Sequence, residues 1–276
     1  MKSTDFSKST VLLLTACINP NGMCKTVLTD TTQRLEQYLE ALRFYLKAIP
    51  NRVVFVENTD YDISSYFTKE IGQGRLECLS FNGNDYDKSF VKGYGEALII
   101  EYGIENSAFL KDASTIIKVT GRVKCSNIRT VVRSLQGKNV VYSDFMRQKQ
   151  YYDLLPSVVV AAPFAFWKLF VDNKDGINDT EGIFFEHILK KTVEEWISIG
   201  GRHSYFFCPV FLCGMSGSTG ESYAKKHTRL KWMVKSLMYH LYVKKKLFGI
   251  GNKNVGKNER PLIISLLHSR SLAKSA

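Results

Sequence analysis

The run Asn178-Asp179-Thr180-Glu181-Gly182-Ile183-Phe184-Phe185-Glu186-His187 concentrates groups able to move a proton. A carboxylate within reach of a hydroxyl takes its proton as the oxygen attacks. Asp179 is the first candidate for such a base and Glu186 the second. Thr180 is placed to cap a helix and Glu181 to sit in its first turn, a structural role. A second run, Lys92-Gly93-Tyr94-Gly95-Glu96, opens a helical stretch. Its two glycines let backbone N–H groups approach a ligand, and a helix start favours an anion. The GK[ST] ending of a P-loop is absent. A third, Ser216-Gly217-Ser218-Thr219-Gly220, offers Ser216, Ser218 and Thr219 hydroxyls with free backbone amides. It reads equally as a diphosphate cradle, a lid or a flexible linker.

These runs need elements to hold them. Val11–Ala16 is a short apolar run ended by Asn19-Pro20-Asn21-Gly22, which predicts a strand and a loop. Apolar spacing predicts helices over 29–48, 93–104 and 181–199. Further strands are predicted at 52–57, 75–80, 115–119, 139–143, 158–162 and 206–212. Strands alternating with helices argue for an α/β fold with a largely parallel sheet, helices on its faces. Such sheets bind ligands at the carboxyl ends of their strands. Small and polar residues gather there: Thr15 and Asn19 after the first strand, Glu57 and Asn58 after the second, Thr120-Gly121-Arg122 after the fourth. Ordinary strand-to-loop chemistry explains any one of them; together they suit a nucleotide pocket.

The chain of 276 residues is 45% hydrophobic and 12% aromatic, which supports one large core and argues against disorder. Its net charge of +12 is unevenly placed. From Glu221 to Ala276, 13 Lys/Arg face only Glu221 and Glu259, so that segment holds +11. A near-neutral body, residues 1–220, is expected to carry the chemistry. No nucleic acid is expected, because the cations are not spread around a substrate channel. The six cysteines form no CxxC pair and no zinc spacing, which suits reduced, buried thiols. The apolar run 11–18 is too short for a signal peptide or a membrane span.

Thr15 through Asn19, Val56-Glu57-Asn58, Lys92 through Glu96, Lys118-Val119-Thr120-Gly121-Arg122 and 178–187, in that order, resemble bacterial GT-A-type glycosyltransferases of capsule and lipopolysaccharide O-antigen synthesis. The resemblance covers roughly Val11 to Tyr223 and implies a GT-A-like (Rossmann-like) fold with a nucleotide-sugar donor. It places Lys92 and Glu96 beside the donor sugar, although Glu96 could instead serve only the helix dipole. Enzymes of this type commonly hold a divalent metal on a DxD motif after the central strand. Here that place reads Lys118 to Arg122, and no Asp or Glu falls between Ala113 and Asp144. Lys118 or Arg122 is therefore expected to neutralise the leaving diphosphate without a metal cofactor, Arg through its bidentate fork. The competing reading makes Lys118 a strand-edge lysine and Arg122 a structural ion pair. Manganese or magnesium is not excluded, since Asp144 could contribute a ligand. A nucleotidyl- or phosphotransferase on the same body, or a non-catalytic membrane- or RNA-binding module, are the alternatives.

Residues 225–248 repeat Leu230, Met233, Val234, Leu237, Met238, Leu241 and Phe248 at helical spacing, with lysines and arginines mainly off the stripe. Trp232, Tyr239 and Tyr242 add interfacial aromatics. Such a helix, in a second domain over 221–276, is expected to lie on an anionic membrane surface. It would hold a cytoplasmic enzyme at the inner membrane face, near a lipid-linked glycan acceptor. Docking on the protein's own core, or on a partner, competes with that reading.

Overall fold

The computed structural model describes residues 9–21, 26–87, 91–144, 154–215, 222–223, 234 and 237. The chain divides into two units, Met1–Met233 and Val234–Ala276. In the second, Val234 and Leu237 are described; both are helical, and both are exposed. The rest of the predicted basic helix, with Ser216, Ser218 and Thr219, lies outside the described residues.

In chain order the first unit runs β1 (Thr10–Ala16), α1 (Thr31–Ala48), β2 (Arg52–Glu57), α2 (Thr68–Gly72), β3 (Leu76–Ser80), α3 (Val91–Asn106), α4 (Ala108–Lys111) and β4 (Thr115–Thr120). It continues with β5 (Lys124–Cys125), α5 (Ile128–Ser134), β6 (Val140–Ser143), β7 (Val159–Ala162), α6 (Phe164–Asp172), α7 (Phe185–Ser198), β8 (Arg202–Tyr205) and β9 (Leu212–Cys213). Seven strands form one sheet in the order β3-β2-β1-β4-β7-β6-β8, and β5 pairs with β9. β1 is parallel to β2 and β4, β2 to β3, and β6 to β8. β7 runs against both neighbours. The fold is thus α/β, a mostly parallel sheet flanked by helices.

Every residue of β1 is buried, as a central strand covered on both faces requires. Its side chains alternate between two cores. Leu12 and Leu14 join Tyr38, Leu42 and Tyr45 of α1 on one face. Val11 and Leu13 join Ile100 of α3, Trp167 of α6 and Leu189 of α7 on the other. Asp30 caps α1 by accepting from Gln33 N at 2.8 Å, and Lys47 sits in its last turn, where the helix dipole favours a cation.

Three expectations change. The last long helix begins at Phe185, not near Glu181, because Asn178 closes a turn first. Its Oδ1 accepts from Thr180 N at 3.2 Å and Glu181 N at 3.3 Å. Its backbone bridges Ile183, and Gly182 supplies a φ of +80°. Thr180 is therefore not the cap of α7, which starts after Phe184; His187 Nδ1 accepts from Phe184 N at 2.9 Å there. The seventh strand of the sheet is Arg202–Tyr205, and of the predicted run 206–212 only Leu212 lies in a strand, the short Leu212–Cys213. Arg202–Tyr205 alternates exposed and half-buried at the sheet edge and carries no apolar run, whereas Pro209 breaks the apolar stretch that was expected to pair. Finally, α6 (F-A-F-W-K-L-F-V-D) was not foreseen. It is too apolar for a single stripe to stand out, since Phe166, Trp167 and Phe170 are all fully buried.

Candidate active site

A cavity of about 570 Å³ opens at the carboxyl ends of β1 and β4, beside the residues that lead into the reversed β7. It is lined by Thr15, Asn58, Lys92, Glu96, Arg122, Asp179 and Glu186, seven of the expected site residues.

Glu96, one turn into α3, is the hub. Its Oε1 accepts from Thr15 Oγ1 at 2.8 Å and Thr120 Oγ1 at 3.3 Å, and lies 2.6 Å from Lys118 Nζ. Its Oε2 makes no hydrogen bond among the described residues. Burial alone pushes the Glu96 carboxyl up. The Lys118 ammonium and the hydroxyls of Thr15 and Thr120 overcome that and leave it below the usual carboxylate range. A carboxylate held so firmly ionised is a poor base. It is well suited to accept hydrogen bonds from a ligand's hydroxyls through Oε2.

Lys118 does not meet a diphosphate. Its side chain is wholly buried on β4. Besides Glu96, the ammonium donates to Ser157 O at 2.9 Å and lies 3.4 Å from Thr120 Oγ1 and 5.1 Å from the Phe185 ring centroid. A lysine has three donors, and these partners use them. The expectation of a phosphate contact fails because the chain before β7 closes over Lys118.

Asp179 enters from the turn before α7 and Glu186 from the first turn of that helix. Asp179 is 6% exposed, and its Oδ2 accepts from Gly93 N at 3.4 Å. The amino end of α3 thus receives a carboxylate of the chain itself, where a ligand anion was expected. Gly93 is required for this approach: a Cβ there would lie 2.8 Å from Asp179 Oδ1. Gly95 serves likewise, since a Cβ would collide with the Tyr86 hydroxyl. Glu186 Oε1 accepts from Ser157 Oγ at 2.6 Å, so Ser157 touches Lys118 through its carbonyl and Glu186 through its hydroxyl.

Cations oppose these carboxylates. Arg122 is 8% exposed; its Nη1 donates to Gln37 Oε1 at 2.9 Å, and its guanidinium lies 6.0 Å from the Tyr38 ring. Its Nε has no hydrogen-bond partner among the described residues, and neither has Asn58 Oδ1. Burial pushes the Lys92 ammonium down, against the carboxylates of Asp179, Glu96 and Glu186 that favour its charge.

Besides Lys118, two expected contacts lie outside the cavity. Glu57 is completely buried and staples the loops, accepting from Ile18 N at 2.8 Å, Thr59 N at 2.7 Å, Tyr61 N at 3.0 Å and the Thr59 hydroxyl. Asn19 is exposed and belongs to the same scaffold: its N donates to Thr59 Oγ1 at 3.2 Å, and its carbonyl accepts from Asn84 Nδ2 at 3.2 Å. Sequence reasoning missed Arg34, Tyr38, Tyr86 and Ser157 among the lining residues. Arg34, 5% exposed, holds the loop after β1 by donating to Cys17 O and Ile18 O from Nε at 2.9 and 3.1 Å. The available signal was its place at i, i+4 and i+8 with Tyr38 and Leu42, a cation inside a buried stripe.

Among the described residues no group of three His, Cys, Asp or Glu side chains is placed to hold a metal ion, and Arg122 lines the cavity after β4.

No family model and no curated protein matches the sequence. Solved structures of similar fold include a nucleotide-diphospho-sugar transferase candidate from Desulfovibrio desulfuricans G20, at 10% identity over 72% of this chain and 79% of that one, with a TM-score of 0.41. The inositol-1-phosphate CTP transferase from T. maritima is 10% identical over 83% and 96%, with a TM-score of 0.46. S. aureus TarS 1–349 in complex with UDP is 11% identical over 92% and 78%, with a TM-score of 0.41. The α/β architecture itself is read from strand order and register.

Proposed function

We propose that this chain transfers a sugar from a nucleotide-sugar donor to a hydroxyl of a lipid-linked glycan, in the synthesis of a bacterial surface polysaccharide. The observation that carries the reading is the single cavity in which Arg122 and Lys92 face Asp179 and Glu186 at the strand ends. The donor spans Thr15 and Asn58, with its diphosphate against Arg122 and Lys92. Glu96, kept ionised by Lys118, accepts a donor-sugar hydroxyl on Oε2. Asp179, or Glu186 in its place, takes the acceptor proton as the acceptor oxygen bonds to the anomeric carbon. The bond from that carbon to the diphosphate breaks, and the cations receive the negative charge that leaves. Metal-independent transfer is part of this reading; manganese or EDTA is expected to leave the rate unchanged.

The membrane end of the reading rests on the tail's charge and on Val234 and Leu237, which expose apolar side chains three residues apart on a helix. No described helix is long and apolar enough to cross a membrane. A surface-lying helix would place the enzyme on the inner face of the cell membrane.

Calorimetric titration of the full chain with nucleoside diphosphates and triphosphates tests the donor site. Saturable diphosphate binding that Arg122→Gln weakens about 10-fold or more, the loss of a charge-assisted contact, supports sugar transfer. Turnover of a nucleoside triphosphate with diphosphate release would point to nucleotidyl transfer instead. No binding of either would leave a non-catalytic module.

A further inference from the structure

A second polar cavity, of about 330 Å³, lies at the opposite end of the sheet. It is lined by Leu46 and Lys47, which precede β2, by Gln73 and Arg75, which precede β3, and by Arg43, Phe67, Lys69 and Glu70. The catalytic cavity lies where the strands end; this one lies where β2 and β3 begin.

Four cations from three segments converge here: Arg43 and Lys47 on the last turns of α1, Lys69 on α2, and Arg75 just before β3. The carboxyl end of α1 contributes about half a negative charge and Glu70 one more, which leaves about two and a half positive charges uncompensated. None of the four cations forms an ion pair with a described residue. Two of them are held in place. Arg75 Nη2 donates to Leu46 O at 3.2 Å and Ile49 O at 2.9 Å. The Arg43 guanidinium lies 5.6 Å from the centre of the Phe67 ring, itself buried as the floor. One lysine would suffice to complement the helix end, so the surplus is left available to a further anion. A phosphate group carries between one and two negative charges near pH 7 and offers several acceptor oxygens to arginine forks and lysine ammoniums.

We infer that this cleft is a second anion site, which binds a phosphate or diphosphate group apart from the catalytic cavity. The group belongs either to a soluble phosphate compound or to a phospholipid headgroup. The assignment is independent of the transferase reading, since it rests on residues that the reaction does not use.

The test compares the full chain with a Lys47→Glu/Lys69→Glu variant, both side chains being exposed and so tolerant of change. A Lys138→Glu/Lys191→Glu variant, also exposed, has the same net charge and is the control. The catalytic cavity and the basic tail are identical in all three. One arm titrates inorganic diphosphate; the other sediments vesicles of phosphatidylcholine with phosphatidylglycerol. The cleft variant is expected to bind at least 10-fold more weakly than the control in one arm. Loss with diphosphate assigns a soluble phosphate, and loss with vesicles assigns a headgroup. Equal binding by the cleft and control variants in both arms overturns the inference.

Discussion

At the scale of single residues the site depends on the Lys118–Glu96 pair. Lys118 is wholly buried and Glu96 only 22% exposed, so deleting one partner leaves the other poorly compensated. Lys118→Met is expected to cost about 3–5 kcal/mol, a fall in Tm on the order of 10 °C for a unit of this size. Adding Glu96→Gln is expected to recover much of it, which a pair of thermal melts would show. The pH dependence has a definite sign. Glu96 is held below the ordinary carboxylate range, so its contribution to stability is complete above that range and is lost as pH falls through the lowered folded value. In Lys118→Met only the hydroxyls of Thr15 and Thr120 remain to oppose burial, and the Glu96 pKa is expected to rise. The acid limb of kcat/KM is then expected to move to higher pH; an unmoved limb would mean that Glu96 does not act in its charged form. The sequence marked Lys118, Glu96 and Arg122 as important, but it suggested that Lys118 and Arg122 do the same job. Only the fold shows Ser157 closing over one and leaving the other at the cavity wall.

Elements position these groups through close backbone approach. Gly93 lets Asp179 reach the start of α3, and Gly121 lets the end of β4 pass the end of β1: a Cβ at Gly121 would lie 2.7 Å from Thr15 O. Gly121→Ala presses on backbone and is expected to destabilise by about 1–3 kcal/mol; a chemical-denaturation midpoint equal to wild type would contradict that. Gly93→Ala presses on the Asp179 carboxylate and is expected to lower kcat more than stability. The central strands and α1 and α3 were legible in the sequence because continuous burial and a 3.6-residue stripe are strong local signals. The edge strand β8 was not, because one face of it needs no apolar side chains. The turn at 178–183 escaped for a different reason: Thr180 and Glu181 resemble a helix start, but the Asn178 side chain competes for the same N–H groups.

For the whole molecule, the charge split predicts that chemistry and tethering are separable. The body up to residue 220 is nearly neutral, and 221–276 carries +11. Replacing Lys244, Lys245 and Lys246 with Glu is expected to remove most sedimentation with anionic vesicles, at about 1 kcal/mol for each charge near the surface. Turnover of a soluble acceptor is expected to persist; its loss together with vesicle binding would tie the tail to the chemistry. The sequence made the tail's composition plain. It could not assemble the cavity, because Asp179 and Gly93 are 86 residues apart and meet only through the sheet. The central claim is that this cavity transfers sugars, and the most direct measurement is nucleoside diphosphate release from a panel of nucleotide sugars with a lipid-linked glycan acceptor. Wild type is expected to release one nucleoside diphosphate in an acceptor-dependent manner, and Asp179→Asn combined with Glu186→Gln to be about 10²–10⁴-fold slower while binding that donor unchanged. Release that survives the double substitution, or no release from any donor, would contradict the account.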